Sequence, residues 1–591
     1  MKHLIIGLGG QLGHDANAAI LLDDLQVFSA QEERYSRKKH DGGFPHRALR
    51  DCLAYAGVSQ NEVTDVVFSE KMLQSLLFNR SERPGNRLTR KIGKWVPESW
   101  RGHFVAAARE KFPNARFHFA WHHLSHVAGA FHTSSYERAA FLCVDGKGED
   151  YSASMGVIDR RNLSINSEQN YENGLGLFYQ VTTHYLGFHS FGSEYKVMGL
   201  APYGEGRFVD QLSNLFTTDE NGGFRLGFPV RATGSSMMAA GKYVAEATGI
   251  PPREPDEPLK QEHIDIATSL QRIFQIEVLK MARFVKKQTG ERNLLFCGGC
   301  AQNCVAAGLI RKERIFDSVF NSPVGGDMGT GLGAALLLTR ELSPHGLGPI
   351  QANGFYLGPE PGAIPIGANS WKVEQTKDLF GQVAEYLADG KIVAWVRGRM
   401  ELGARALGAR SILADPRQPG MQSRLNKAVK FRESFRPFAP LILAEKCGEW
   451  FESDEPSDFM QFTATLRKER QLPQPENMRD LRERLDFPRC SIPSVIHVDY
   501  SARLQTIRPE NHPDMHQLLL DFHELTGVPI LINTSFNVSG QPIVRTAEEA
   551  WECFINTDID LVVINDEIFR NPFQKTREQK LSWLKQFADL A

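Results

Sequence analysis

The sequence lacks long apolar runs and contains few cysteines. No run of apolar residues approaches the roughly 20 that a membrane-spanning helix requires. The apolar start, MKHLIIGLGG, is followed by Gln11, His14 and Asp15 and has no signal-peptide cleavage site. We therefore predict a cytoplasmic protein with no membrane partner. Eight cysteines in 591 residues are too few for a disulfide scaffold.

An excess of charge of one sign is also absent. The chain has 68 Lys and Arg against 70 Asp and Glu, which gives a formal net charge of -2 at pH 7. Such a chain has no overall attraction to polyanions, and nucleic acid is not expected as a partner. Its length exceeds the roughly 250 to 300 residues at which one hydrophobic core stops growing, so at least two domains are expected.

Apolar patterning predicts an α/β fold in the first part of the chain. Short apolar runs separated by turn residues predict a β-hairpin or meander at the N terminus. Helices are predicted over 104–112, 122–132 and 263–288, and strands over AAFLCVDG and NLLFC. The third helix carries an apolar stripe formed by Ile264, Ile266, Leu270, Ile273 and Phe274.

A Gly- and Pro-rich stretch between about 340 and 372 lacks a helical or strand period and marks a domain boundary. We divide the chain into a first domain at 1–350, a linker at 351–372 and a second domain at 373–591. The second domain is also predicted as α/β, with a helix near 377–388 and strands in KIVAWVRG and LVVIND. No internal sequence repeat is visible.

Two histidines and two aspartates form a candidate metal site. His122 and His126 are four residues apart, so on a helix they share one face. Asp145 follows a predicted strand, and Asp327 lies between glycines. Two imidazoles and two carboxylates suit iron, manganese or zinc. The alternatives are histidines with no ligand role and aspartates that cap turns.

Two glycine-rich loops follow predicted strands, where backbone amides can approach phosphate. The candidate nucleotide-binding residues in these loops are Gly298, Gly299, Asn303, Gly325 and Gly326. The spacing of Cys297, Cys300 and Cys304 is compatible with a metal, but no fourth ligand is evident. We interpret the thiols as structural or as part of the nucleotide loop, and their role stays open.

In the second domain, Lys430-x-Arg432 and Ser535-x-Asn537 are a candidate phosphate site. A close pair of cations can hold an anion, and a Ser and an Asn on a turn can bind it or its metal. Solvated surface charge is the alternative interpretation of the basic pair.

Several long segments resemble a family of O-carbamoyltransferases that includes nodulation and antibiotic-tailoring enzymes. They extend from residue 13 to about 545 and read GHDANAA, EERYSRKKHDGGFP, HHLSHVAGAF, VDGKGE, EYKVMGLAPYG, GRMELGARALGARSILADPR, FRPFAP and NTSFN. The resemblance implies a TsaD-like domain of the actin and sugar-kinase fold followed by a YrdC-like domain. The chain departs from the family pattern in two places. Ala404 stands where Pro is usual, and CGGCAQN stands where AGGVALN is usual.

The resemblance also implies an activity. ATP and carbamoyl phosphate would give carbamoyl adenylate, whose carbamoyl group is transferred to a hydroxyl of a small molecule, in natural-product or antibiotic biosynthesis. The implied cofactors are Fe(2+), or another divalent metal, and Mg(2+) with ATP. The implied site residues are the metal ligands His122, His126, Asp145 and Asp327, the catalytic residues His14 (as general base) and Lys39, and the carbamoyl phosphate and ATP site of Lys430, Arg432, Arg503, Asn533, Ser535 and Asn537.

Three other functions are compatible with parts of this pattern. A small-molecule kinase of the actin-like fold would need neither the metal quartet nor the second domain. A tRNA threonylcarbamoyl-modifying enzyme is disfavoured by the absence of a basic excess. A non-catalytic ATP-binding module would not need both residue sets. The acceptor-facing segments, expected within 150–260, do not identify the acceptor, and the oligomeric state is not predicted.

Overall fold

The computed structural model describes residues 4–10, 13–22, 26–70, 98–230, 234–350, 353–365, 367–375, 378–433, 435–453, 455–475, 478, 481–571 and 575–585. The protein is mixed α/β, as predicted, and is organised around two five-stranded sheets and one eight-stranded sheet within these ranges. Residues 351, 352 and 366 of the predicted linker and residue 377 of the predicted helix lie outside the described residues.

The first sheet contains the N-terminal strands in the order β3-β2-β1-β4-β5. Strands β1 to β3 are antiparallel, whereas β4 and β5 run parallel to β1. The strands are β1 (Ile5–Gly9), β2 (Asn17–Leu21), β3 (Val27–Gln31), β4 (Asp65–Phe68) and β5 (Arg116–Phe119). The predicted N-terminal meander is confirmed.

The second sheet repeats this topology, in the order β8-β7-β6-β11-β12. Again three antiparallel strands precede two that run parallel to the first. The strands are β6 (Arg138–Gly148), β7 (Tyr151–Asp159), β8 (Leu163–Asn170), β11 (Asn293–Cys297) and β12 (Ser318–Asn321), and β9 (Phe216–Thr218) pairs separately with β10 (Phe224–Leu226). This duplicated sheet is the actin and sugar-kinase organisation expected for the first domain.

Helices surround both sheets. They are α1 (Glu33–Ser36), α2 (His46–Ala56), α3 (Glu98–Lys111), α4 (His122–His132), α5 (Leu175–Tyr185), α6 (Glu194–Leu200), α7 (Val209–Ser213), α8 (Gly234–Thr248), α9 (Gln261–Thr289), α10 (Cys304–Lys312) and α11 (Thr330–Leu342). The three helices predicted from apolar spacing correspond to α3, α4 and α9. The apolar stripe of α9 is buried as expected.

Glycines allow α11 to approach its neighbours closely. A Cβ on Gly7 of β1 would lie 1.9 Å from the Gly331 carbonyl oxygen, and a Cβ on Gly333 would lie 1.8 Å from that of Ser125 in α4. Real Cβ atoms cannot occupy such positions, so only glycine is compatible with these two crossings. The start of α11 is thereby held against both β1 and α4.

The C-terminal part forms a mixed sheet in the order β16-β17-β15-β18-β14-β13-β19-β20. Its strands are β13 (Val393–Val396), β14 (Arg410–Ala414), β15 (Ala439–Leu443), β16 (Phe462–Thr465), β17 (Ser501–Ile507), β18 (Ile530–Ser535), β19 (Leu561–Ile564) and β20 (Glu567–Arg570). Its helices are α12 (Leu379–Ala388), α13 (Met421–Arg424), α14 (Cys447–Trp450), α15 (Leu481–Asp486), α16 (Pro513–Thr526), α17 (Ala547–Ile555) and α18 (Arg577–Leu584). None of the described helices is long and apolar enough to cross a bilayer.

The stretch between the two parts is partly buried. Phe355 and Leu357 join the apolar cluster around β1 and α11, and the Leu357 carbonyl accepts a hydrogen bond from the backbone N–H of Ser29 at 3.1 Å. Exposed residues occur further on, around Gly362 and Ala363. The domain limits at 350 and 373 stay a prediction.

Candidate functional site

Four side chains from three separate segments converge in the N-terminal part. His122 and His126 lie in the first turns of α4, Asp145 lies in β6, and Asp327 lies in the turn before α11. His126 Nε2 is 3.0 Å from His122 Nε2 and 3.2 Å from Asp145 Oδ2. Asp327 Oδ1 is 3.2 Å from His122 Nε2 and 3.3 Å from His126 Nε2. We call these four residues the tetrad.

The tetrad fits a divalent cation. His122 Nδ1 donates to the buried Glu70 carboxylate at 2.6 Å, so its Nε2 carries a lone pair in the neutral ring. That lone pair faces two carboxylate oxygens and a second imidazole nitrogen at about 3 Å, an arrangement that a cation would stabilise. Metal–ligand bonds of roughly 2.0 to 2.2 Å place donors at such separations.

The ligand carboxylates are themselves held in place. Asp145 Oδ1 accepts backbone hydrogen bonds from Gly146 at 2.8 Å and Gly299 at 3.1 Å, which leaves Oδ2 directed at the imidazoles. The buried Asn17 side chain donates to the carbonyls of Asp15 at 2.8 Å and Asp327 at 2.9 Å. Such outer contacts fix the orientation of metal ligands.

The electrostatics of the tetrad are dominated by its carboxylates. Burial lowers the pKa of His126, but Asp145 and Asp327 outweigh this effect and raise it to about 9. Burial and Asp327 raise the pKa of Asp145, yet the two imidazoles keep it below the usual range. The carboxylates of the tetrad therefore favour positive charge at the two imidazole nitrogens, which is the charge that a cation would bring.

His14 lies beside the tetrad. Its Nδ1 is 3.1 Å from Asp15 Oδ2 and 3.4 Å from Asp327 Oδ2. The other oxygen of Asp15 is 2.9 Å from His40 Nδ1, so one buried carboxylate orients two imidazoles. With Nδ1–H directed at carboxylates, the Nε2 of His14 is the ring atom left to accept a proton. Burial lowers the pKa of His14, but Asp15 and Asp327 raise it to about 9.

The glycine loops are joined to each other and to the tetrad. The Gly298 N–H donates to the Gly325 carbonyl at 2.8 Å. Asn303 caps α10 through the Ala306 N–H at 3.0 Å and exchanges two hydrogen bonds with Gln271. The nucleotide-binding role of Asn303 stays a prediction, as do those of Gly298, Gly299, Gly325 and Gly326.

The cysteines of the CGGCAQN loop are free thiols. Among the described residues, the groups with metal-ligand geometry contain no cysteine. Burial raises the pKa of the Cys300 thiol well above its usual value, which disfavours the thiolate. The structural interpretation of these residues is therefore favoured.

In the C-terminal part, Lys430 ends a π-helical turn (Leu425–Lys430) and lies at the centre of the second predicted set. Its Nζ donates to Ser535 O at 2.7 Å and to Asn537 Oδ1 at 2.7 Å. Ser535 Oγ donates to the same Asn537 oxygen at 2.7 Å. The Lys430, Ser535 and Asn537 side chains therefore form one connected group. Their role in binding carbamoyl phosphate and ATP stays a prediction.

Polar side chains form a stripe on one face of the eight-stranded C-terminal sheet, to which Ser535 also belongs. Arg503 and Gln505 in β17, like Asn533 and Ser535 in β18, are two residues apart and so share one face. Asn533 Nδ2 donates to Gln505 Oε1 at 2.7 Å over β15, which lies between these two strands.

Four arginines gather at this face, and we call Arg405, Arg432, Arg436 and Arg503 the arginine cluster. Burial and Arg503 lower the pKa of Arg405 to about 9. Burial and Arg436 lower that of Arg432 well below its usual value. Arg405 and Arg503 each keep a buried Nε without a hydrogen-bond partner in the described part of the chain. Cations that depress one another's pKa in this way form a site for an anion.

The two sites are connected by residues from both parts. The Tyr195 ring is close to two cations: the Arg436 guanidinium carbon is 4.6 Å and the Lys39 Nζ is 6.0 Å from the ring centroid. Lys39 is also close enough to Lys430 to contribute to lowering the pKa of Lys430, after burial and Arg432. Lys39, which directly precedes His40 in the chain, therefore lies near residues of the C-terminal part.

Two family models match this chain over most of its length. The model of the carbamoyltransferase N-terminus matches residues 4–336, and that of the carbamoyltransferase C-terminus matches residues 384–571. The protein belongs to the carbamoyltransferase family. This confirms the resemblance inferred from the sequence motifs, and the protein is an enzyme of the carbamoyltransferase class.

Several proteins are similar to this carbamoyltransferase over most of their own length. An uncharacterised protein of Synechocystis sp. is 38% identical, over 99% of the chain and 100% of its own length. The nodulation protein NolNO of Sinorhizobium fredii is 34% identical, over 94% of the chain and 79% of its own. The nodulation protein NolO of Bradyrhizobium diazoefficiens is 34% identical, over 76% of the chain and 78% of its own length.

Sequence reasoning missed several residues of these sites. Glu70, Asp15 and Asn17 orient the tetrad and His14, and Arg405 and Arg436 complete the arginine cluster. Asp15 could have been found because it adjoins His14. Glu70 could not, because it follows a different strand and precedes the tetrad by more than fifty positions.

Proposed function

We propose that the protein is an ATP-dependent O-carbamoyltransferase that uses carbamoyl phosphate, forms carbamoyl adenylate in the C-terminal domain and carbamoylates a hydroxyl of a small molecule in the N-terminal domain. The proposal is supported by an arginine cluster that suits phosphate and by a tetrad with the chemistry of a metal site that has a candidate base, His14, beside it. The proposal includes a cytoplasmic location and a role in natural-product or antibiotic biosynthesis.

In the C-terminal domain, the arginine cluster binds phosphate groups. Carbamoyl phosphate and ATP are both anions, so binding them together requires several positive charges at one place. Arg432 and Arg503, with Arg405, supply these charges, while Lys430 orders the Ser535 and Asn537 turn that orients the carbamoyl end. For the step to balance, water first cleaves carbamoyl phosphate to carbamate and inorganic phosphate. The carbamate oxygen then attacks the α-phosphorus of ATP and displaces pyrophosphate. Positioning and charge stabilisation of this kind lower the barrier to both reactions.

In the N-terminal domain, His122, His126, Asp145 and Asp327 would hold Fe(2+) or a similar divalent ion. When bound, such an ion acts as a Lewis acid toward an oxygen of the carbamoyl donor. The positive charge of a bound divalent ion would lower the pKa of His14 from the value of about 9 that Asp15 and Asp327 give it. The neutral ring would then accept the proton of the acceptor hydroxyl at Nε2, and Asp15 would stabilise the imidazolium that results. Lys39 offsets the negative charge of the AMP that leaves when the carbamoyl group of carbamoyl adenylate is transferred.

Pyrophosphate exchange tests the proposal. With ATP and labelled pyrophosphate, the enzyme should incorporate label into ATP only when carbamoyl phosphate is present, because carbamoyl adenylate formation releases pyrophosphate. A small-molecule kinase would form ADP and show no such exchange. A tRNA-modifying enzyme would require threonine for adenylate formation. Exchange that does not depend on carbamoyl phosphate would contradict the proposal.

A further inference from the structure

Phe191 exposes an aromatic ring beside the candidate base. Its side chain is 52% exposed, and its ring centroid lies 4.5 Å from that of His14 and 5.1 Å from that of His40. A single exposed apolar side chain is ordinary on a protein surface. Phe191 differs from that ordinary case because it contacts both of the imidazoles that the Asp15 carboxylate orients.

Solvent reaches the neighbourhood of the tetrad at His14 and Asp327. The His14 side chain is 24% exposed and that of Asp327 is 19% exposed, whereas that of His122 is only 3% exposed. Because the rings of His14 and Phe191 are in contact, a molecule that approaches His14 from solvent arrives beside the Phe191 ring.

The backbone holds this ring in place. The Ser193 N–H donates to the Ser190 carbonyl at 3.2 Å, so Phe191 lies at one corner of a four-residue turn. Gly192 at the other corner has a φ of +73°, and a Cβ on it would lie 3.2 Å from His40 Nε2. Glycine adopts this left-handed conformation at little cost and allows the turn to approach His40. The exposed ring is therefore presented by a tight turn that is packed against the site.

The place of the ring bears on the acceptor. An acceptor hydroxyl that gives its proton to His14 Nε2 has its oxygen about 3 Å from that nitrogen. The carbon skeleton that carries the hydroxyl then comes within reach of the Phe191 ring. A phenyl ring has no hydrogen-bonding group, and its face gains most from contact with apolar groups that exclude water from it.

We infer that Phe191 binds the acceptor and selects alcohols whose hydroxyl is carried next to an apolar ring. This inference rests on the proposed function. In the transfer, the acceptor oxygen bonds to the carbamoyl carbon, the bond from that carbon to the AMP oxygen breaks, and the hydroxyl proton passes to His14. Phe191 takes no part in these bond changes and acts by holding the body of the acceptor.

Three primary alcohols test the inference: cyclohexylmethanol has an apolar ring, ethanol has no ring, and choline has a quaternary ammonium group. The enzyme is given labelled carbamoyl phosphate, ATP and one alcohol, and the carbamoylated alcohol is measured. The value of kcat/KM should be at least tenfold higher for cyclohexylmethanol than for ethanol. Phe191→Leu should reduce this ratio at least fivefold by raising KM for cyclohexylmethanol, while transfer to ethanol and carbamoyl-phosphate-dependent pyrophosphate exchange stay within twofold.

Two further variants serve as controls. Phe191→Tyr keeps an aromatic ring at the same place and should retain the preference for cyclohexylmethanol within twofold. Tyr55→Leu is the matched control, because Tyr55 also exposes a ring, at 39%, but packs against Phe28 at 5.2 Å between centroids. Its replacement should leave the preference unchanged.

The other outcomes would overturn the inference. Equal losses of transfer to cyclohexylmethanol and ethanol in Phe191→Leu would mean that Phe191 acts through His14. A preference for choline in the unmodified enzyme would mean that the ring binds a cation. A raised KM for ATP with an unchanged preference among the alcohols would mean that the ring binds adenine. Normal exchange with no transfer to cyclohexylmethanol would also contradict the inference.

Failure of the proposed function is distinguishable from these results. If the unmodified enzyme showed no carbamoyl-phosphate-dependent pyrophosphate exchange, the proposed function would be wrong, and the inference with it.

Discussion

At the residue scale, the two imidazoles of the tetrad are not equivalent. His122 Nδ1 is bound to Glu70, whereas His126 Nδ1 is buried without a hydrogen-bond partner in the described part of the molecule. We expect His126→Ala to lower metal content and carbamoyl transfer together, because one of the four proposed metal ligands is lost. Glu70→Gln should weaken metal binding by roughly 10- to 100-fold. Metal analysis of the purified variants measures the loss of metal, and transfer of labelled carbamoyl groups measures the loss of activity.

The control for these variants is His123→Gln. His123 lies in the same helix, but its Nδ1 is bound to Ser154 at 2.7 Å and it is not part of the tetrad. Its replacement should leave metal content unchanged. Full metal occupancy in His126→Ala would remove His126 from the ligand set.

The buried His132 should make the stability of the fold depend on pH. It is fully buried at the end of α4, and burial lowers its pKa to about 4. An unfolded histidine titrates near 6.5. Between these values the unfolded chain binds a proton that the folded chain does not, so stability is lost as the pH falls from about 6.5 towards 4. At about 1.4 kcal/mol per pKa unit, the loss reaches about 3 kcal/mol.

Urea denaturation at pH 7 and pH 5 tests this effect. His132→Asn should be less stable than the unmodified protein at pH 7, because the packed ring is lost, but its stability should change less between the two pH values. Equal pH dependence in the two proteins would show that His132 does not account for the loss.

The sequence predicted candidate metal ligands and phosphate-binding residues, but not the residues that contact and orient them. His122 and His126 were identifiable from helical spacing, and Lys430 with Arg432 from a short motif. Arg405 was not, because a single arginine in a Gly- and Ala-rich segment has no pattern of its own. Its partners in the arginine cluster come from distant positions, and only the tertiary fold brings them together.

At the element scale, local patterns predicted α4 and α9 well because each has a long buried stripe. The duplication of the N-terminal sheets was invisible in the sequence. The strands of the second sheet are separated by a long insertion between β8 and β11, so the repeat has no fixed period. The topology is preserved by strand pairing, which many sequences satisfy.

The contact between α10 and β16 joins the two parts of the chain and depends on Gly308. A Cβ at this position would lie 2.7 Å from the Thr463 carbonyl oxygen and 2.9 Å from its backbone nitrogen. Gly308→Ala should therefore push α10 away from β16 and lower the free energy of unfolding by about 1 to 3 kcal/mol. Thermal or urea denaturation measures the loss.

Gly448→Ala is the matched control. Gly448 lies in the helix α14, and nothing lies within 4 Å of the added Cβ. Because alanine favours helices over glycine, this variant should be as stable as the unmodified protein or more so. If Gly308→Ala behaved in the same way, the α10–β16 contact would not be tightly packed in solution.

At the scale of the whole molecule, α1 and the residues after it connect the two domains. Arg34 Nη2 donates to the Gly403 carbonyl at 2.8 Å, and Arg37 donates to the carbonyls of Ile543 at 2.8 Å and Pro542 at 2.7 Å. A few residues further on, His40 binds Asp15 in the first domain. The segment that carries Lys39 is thus held by contacts to both parts of the chain, which suits an intermediate that must be protected from water.

The two chemical steps should therefore be separable by mutation. Arg432→Ala should abolish carbamoyl-phosphate-dependent pyrophosphate exchange and transfer alike, because phosphate charge is left unmatched before any intermediate exists. His14→Asn should keep the exchange but fail to carbamoylate a hydroxyl, because a base in the first domain acts only after the intermediate has arrived. General bases contribute roughly 10² to 10⁴ in rate, so transfer should fall by that factor. The measurements are exchange into ATP and labelled carbamoyl transfer to a panel of hydroxylated compounds. If His14→Asn lost exchange as completely as Arg432→Ala, the assignment of the two steps to two sites would be wrong.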